Sequence, residues 1–115
     1  MLKYSLAIII FMHGLIHFMG FAKAFGYGNI TQLTKDISKP AGVFWLLSAV
    51  LFIITAALLL LKKESWPLLA IVAVLVSQVL IVLAWKDAKF GTVANIIILS
   101  VAVIALFFNR DEFSK

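Results

Sequence analysis

Residues 51–61 read LFIITAALLLL and residues 95–108 read NIIILSVAVIALFF. Neither run alternates apolar with polar residues, as a strand of a membrane barrel must to face lipid on one side and a lumen on the other. Each belongs to a longer apolar stretch that approaches the roughly 20 residues a helix needs to cross bilayer hydrocarbon. Working outward along the chain, four such stretches emerge, at 4–25, 41–61, 67–85 and 92–109. Together they take up most of the 115 residues, of which 64% are hydrophobic and 13% charged. A soluble core of this size could not bury so much apolar surface, so lipid is the expected solvent. The expected architecture is all-α: a single domain folded as an antiparallel bundle of four transmembrane helices.

The boundaries follow from local chemistry. Gly26 and Gly28 suit the end of the first span, while Pro40 and Pro67 suit first turns, where a missing N–H costs nothing. Trp45, Trp66 and Trp85 fall near predicted span ends, where an indole settles at headgroup level. The longest connection, 27–39, spaces Ile30, Leu33 and Ile37 as on one helical face and predicts a short interfacial helix. The other turns, KKES and KDAKFG, are tight and predict antiparallel hairpins. Lys3 ahead of an apolar run, with Ala22-Lys23-Ala24 after it, has the look of a secretory signal; the segment is read here as the first span.

The net charge of +5 comes from basic residues flanking the spans, where they meet lipid headgroups rather than nucleic acid. Lys3, Lys62, Lys63, Arg110 and Lys115 lie on one face, and Lys23, Lys35, Lys39, Lys86 and Lys89 on the other. Discounting Lys23 as partly embedded and adding the amino terminus to the first face tips the positive-inside rule towards cytoplasmic termini. There is no cysteine, which excludes thiolate metal sites and thiol relays for this chain alone.

Polar groups inside a membrane are costly and face the bundle interior. His13, His17, Gly20 and Ala24 share a narrow face of the first helix, Ala41, Ser48 and Thr55 one face of the second, Gln78 and Trp85 one side of the third, and Gly91, Asn95 and Ala102 one face of the fourth. His17, Ser48 and Gln78 fall at similar depth, Asn95 shallower and His13 nearer the midplane. Two readings follow. One is a polar pocket open towards the long loop, with His13 as floor, His17, Ser48, Gln78 and Asn95 as polar contacts, Trp45 and Trp85 as walls, and Lys23 near the mouth. The other is interhelical hydrogen bonding alone, with no ligand. Asp87 is expected to pair with Lys86 or Lys89 at the surface.

Known chemistries fit poorly. Zinc hydrolysis needs a third ligand and a general base, but Gly14 follows the first histidine and no span holds a carboxylate. A bare metal site on His13 and His17 has only amides to complete it. Bis-histidine haem would need a second copy of the chain, since both imidazoles sit on one helix, and Ser48 lacks a carboxylate to orient a base. No catalytic residue is assigned, and no cofactor is required, with haem or quinone left open.

In size and layout the chain resembles the small multidrug-resistance exporters, without their first-span glutamate. In residues, FMHGLIHFMGFAKAF together with WKDAKFGTVAN resembles DoxX-like bacterial membrane proteins, and the likeness runs along nearly the whole chain. It implies a bacterial inner-membrane subunit associated with quinone-linked or thiol-linked electron transfer beside a catalytic partner, matching at His13, His17, Asp87 and Asn95. The expected function is a small binding or accessory subunit for a lipid-like or quinone-like molecule. The alternatives are a homodimeric transporter with a proton-sensitive histidine and a structural subunit of a larger membrane complex. Membrane lipids are the expected partners, with a homo-oligomer or larger assembly open.

Overall fold

A computed structural model describes residues 2–28 and 36–107 of the chain. Most of the interfacial segment expected at 27–39 and the last two residues of the fourth span lie outside the described residues. Among the described residues five helices follow in order: α1 (Leu2–Phe25), α2 (Lys39–Leu60), α3 (Trp66–Leu83), α4 (Trp85–Ala88) and α5 (Gly91–Phe107). There is no strand among the described residues. By length and composition α1, α2 and α3 can each cross a membrane. α5 is equally apolar but has 17 residues, a rise of about 26 Å.

Each helix end has a local cause. α1 stops where Gly26 adopts φ 75° and the Tyr27 N–H reaches back to Ala22 O at 2.8 Å, the six-to-one bond of a Schellman cap. α2 ends the same way without a glycine: Lys62 sits at φ 61°, and the Lys63 N–H donates to Leu58 O at 2.9 Å. At the start of α2 the Ser38 hydroxyl accepts from the Ala41 N–H at 3.2 Å, and Pro40 occupies the first turn.

α3 departs from the sequence expectation by stopping at Leu83, where a span to Trp85 was predicted. Ala84 turns to φ −114°, ψ 34°. Its N–H still donates to Leu80 O and Ile81 O, while its carbonyl accepts from Asp87 and Ala88. The corner therefore leaves no backbone group of Ala84 unpaired, as an apolar surround requires. α4 is the single turn that results, and it swings Trp85 outward.

Helix packing is antiparallel and set by small residues. α1 and α2 form the most extensive contact, followed by α2 with α3 and α3 with α5, whereas α1 and α5 touch little. Gly14 lies against Phe52 and the Ala49 carbonyl, Gly20 against the Trp45 indole, and Gly42 against Ala24. Small residues at these crossings let the backbones close up, which is how helices associate where lipid removes the hydrophobic drive. Leu6, Ile10, Phe52, Leu59, Trp66, Ile98 and Ala102 fill the half of the bundle nearer the α2–α3 turn. Trp45, Leu80 and Ala84 form a smaller cluster towards the other end, with Phe21 and Ile37 packed on it. The outward faces, with Ile8, Phe44, Val72, Val79 and Ile97, are exposed and apolar.

The indoles correct the sequence reading. Trp45 and Trp66 are 5% and 1% exposed and belong to the core, and only Trp85, at 49%, looks outward. Position near a span end was outweighed by packing: Gly20 leaves room for the Trp45 ring, and Trp66 belongs to the larger apolar cluster.

Two expectations test this account. Lys62→Gly relieves a left-handed residue at the cap and should raise stability in detergent by about 0.5–1 kcal/mol, read from thermal unfolding. Gly20→Val drives a side chain into the Trp45 ring and should cost about 1–3 kcal/mol, a penalty that shrinks in a Trp45→Leu background if the clash is its cause.

Candidate functional site

α1 carries the two imidazoles one turn apart on its inner face, about 18 Å (His13) and 12 Å (His17) from the helix end at Phe25. The half-thickness of the hydrocarbon is about 15 Å, so both rings lie deep. They meet edge to face, with centroids 4.6 Å apart and planes at 84°. Phe52 of α2 supports both, at 4.9 and 5.3 Å, and Trp45 tilts over His17 at 5.2 Å. Both histidines are buried.

Their hydrogen bonds form a closed loop through three helices, and its polarity can be worked out. His17 Nδ1 lies 2.7 Å from the His13 carbonyl, so this nitrogen carries the proton and donates. In an uncharged ring, His17 Nε2 is then an acceptor, and the Ser77 hydroxyl at 2.7 Å donates to it. Ser77 Oγ in turn accepts from Asn95 Nδ2 at 3.0 Å. With its amide nitrogen committed there, Asn95 turns Oδ1 towards His13 Nε2, which donates across 2.8 Å. The second Asn95 N–H goes to Gln78 Oε1 at 3.0 Å, and Gln78 Nε2 donates to Thr92 Oγ1 at 3.0 Å. Every donor in the loop has an acceptor, which buried polar groups require in a low-dielectric surround.

Beside this network, between α1 and α5, opens a cavity of about 310 Å³. α1 contributes His13, Ile16, His17, Met19 and Gly20; α2 contributes Trp45; and the far wall holds Ile81, Asp87, Ala88, Phe90, Gly91 and Ala94. Ile16 and Phe90 are exposed, so the cavity reaches the outer surface along the seam where α1 and α5 barely touch.

The residues singled out in the sequence separate into groups. His13, His17 and Trp45 line the cavity. Asn95 and Gln78 stand behind the wall and hold the histidines rather than facing the space. Ser48 is buried on α2 between Trp45 and Phe52, and its hydroxyl has no hydrogen-bond partner among the described residues. Trp85 does not wall the cavity, because the break at Ala84 removes it from the α3 face it was expected to share with Gln78. Asp87, expected at the surface, is half-buried in the cavity wall.

Sequence reasoning missed Ser77 and Thr92. The signal for Ser77 was present in the spacing of Ala70, Ala73, Ser77 and Ile81, an inward stripe of mostly small residues that passes one position before Gln78. Thr92 gave no comparable signal, since it becomes a partner only through the reach of the Gln78 amide. Among the described residues no group of three His, Asp or Glu side chains is placed to hold a metal ion.

No protein-family model matches this sequence, and no curated protein or solved structure is significantly similar to it.

If the loop is a closed unit, Asn95→Leu and Ser77→Ala should each destabilise by about 1–2 kcal/mol. The double variant should cost clearly less than the sum, because either change alone already opens the loop. Unfolding in detergent of the wild type, both single variants and the double variant gives the coupling. Additive losses would mean independent bonds.

Proposed function

We propose that this chain is a membrane protein of four spans, with α5 as the fourth, that acts as a small binding or accessory subunit and holds a lipid-like or quinone-like amphiphile in the cavity beside His13. The observation that carries this reading is the cavity itself. Its volume of about 310 Å³ falls at the lower end of the range of small-molecule sites, about 300–1,000 Å³. That suits a ring or headgroup but not a long tail as well. The seam between Ile16 and Met19 of α1 and Phe90 and Ala94 of α5 offers the tail a way out along the aliphatic surface.

A mostly apolar wall with few polar groups is the usual construction of sites for amphipathic small molecules. The hydrogen-bonded loop behind it fixes the orientation of both imidazoles, so the polar edge offered to a ligand is set before binding. The DoxX-like resemblance and the distribution of basic residues favour the bacterial inner membrane with cytoplasmic termini, and an accessory role beside a catalytic partner.

Mass spectrometry of molecules extracted from gently purified protein tests the reading. Wild type should retain an amphiphile at a fixed molar ratio. Ala94→Phe, which fills the cavity from α5 without touching the hydrogen-bonded loop, should lose it while unfolding at nearly the same temperature. Equal retention by both proteins would assign the bound molecules to the outer surface and leave the cavity without a role.

A further inference from the structure

The polarity of the hydrogen-bonded loop fixes more than the position of His13. His13 Nε2 donates to Asn95, so in the uncharged ring Nδ1 holds a lone pair and no proton. Nδ1 takes no part in any hydrogen bond of the network. Nor is it sealed in the interior: among the described residues only Ser48 Oγ is a fully buried side-chain polar atom without a partner. His13 belongs to the cavity wall, and its Cε1, the ring atom between the two nitrogens, faces Gly91 on the opposite side of that wall. The other polar side chains in the wall besides His17, whose two nitrogens are both engaged, are the Asp87 carboxylate, which accepts when ionised, and the Trp45 indole, which donates.

We propose that the cavity selects amphiphiles whose headgroup bears a hydroxyl, with the O–H donating to His13 Nδ1. This deepens the binding role proposed above, narrowing its quinone-like ligands to the hydroxyl-bearing quinol or phenol form, and rests on it. A hydroxyl can give its proton to Nδ1 and still accept a bond from an N–H. A headgroup made only of carbonyl or ether oxygens offers no donor and would leave Nδ1 unpaired, the costly outcome for a buried acceptor. Sites built around such a group reject analogues that lack its partner more strongly than apolar walls reject a change of shape. The assignment is directional. It depends on the His17 ring being turned to the His13 carbonyl and on Gln78 holding the Asn95 amide in one orientation.

A matched pair of probes tests it: 4-decylphenol and its methyl ether, titrated against the full chain in phosphatidylcholine nanodiscs, with the imidazole nitrogens labelled with ¹⁵N. The phenol should bind about tenfold more tightly than the ether, the ratio of one net hydrogen bond. It should also move the His13 Nδ1 resonance while leaving both His17 nitrogens in place. In Ala94→Phe both effects should vanish together. Equal affinity for the two probes, or phenol binding with His13 Nδ1 unmoved, overturns the hydroxyl preference and leaves an occupied cavity intact. Failure of both probes to bind wild type removes the cavity's binding role and this inference with it.

Discussion

The bundle depends on the closed circuit of hydrogen bonds that runs from His13 to Asn95, on to Ser77 and His17, and back to the His13 carbonyl. In hydrocarbon a polar side chain left without a partner inside the protein is costly, since no water can replace a lost bond. One circuit that satisfies groups on α1, α3 and α5 together therefore sets the relative depth of three helices. A sliding displacement of one turn would break several bonds at once. Aliphatic contacts on either side are far less particular, because leucine and isoleucine pack against lipid nearly as well as against each other.

Around the circuit the two apolar clusters have different tasks. The larger, from Leu6 to Ala102, closes one half of the bundle with bulky residues against alanines. The smaller, around Trp45 and Leu80, leaves room beside it, and that room is the cavity. The division follows the placement of small residues. Gly14 and Gly20 draw α1 onto α2, while Gly91 keeps the start of α5 low in profile next to His13 and Ile81.

Much of this was legible in the sequence, for reasons of scale. The all-helical architecture and the rough extent of the long helices follow from apolar runs tens of residues long, and the inward direction of His13, His17, Asn95 and Thr55 follows from the cost of burying polarity in lipid. Thr55 does close its hydroxyl on Leu51 O, as its residue type allows. What escaped reading depended on single residues. The corner at Ala84 has no proline or glycine to mark it, yet it turned Trp85 out and Asp87 in. Ser77 was overlooked beside a larger amide, although one position on a helix is a rotation of about 100° and changes which neighbour a side chain meets. The Trp45 indole followed the space that Gly20 leaves on α1, and Trp66 joined an apolar cluster drawn from several helices, neither of which a linear reading of their own segments contains.

The uneven contact pattern carries a mechanical implication. α5 is fastened along α3 but touches α1 little, with the bond between His13 and Asn95 spanning the gap and the cavity occupying the half of that border from His13 towards α4. A bilayer that thickens, thins or changes its lateral pressure does work on every helix boundary, and the least adhesive boundary yields first. The composition of the surrounding membrane would therefore register in this protein as the width of one slit, directly over an imidazole.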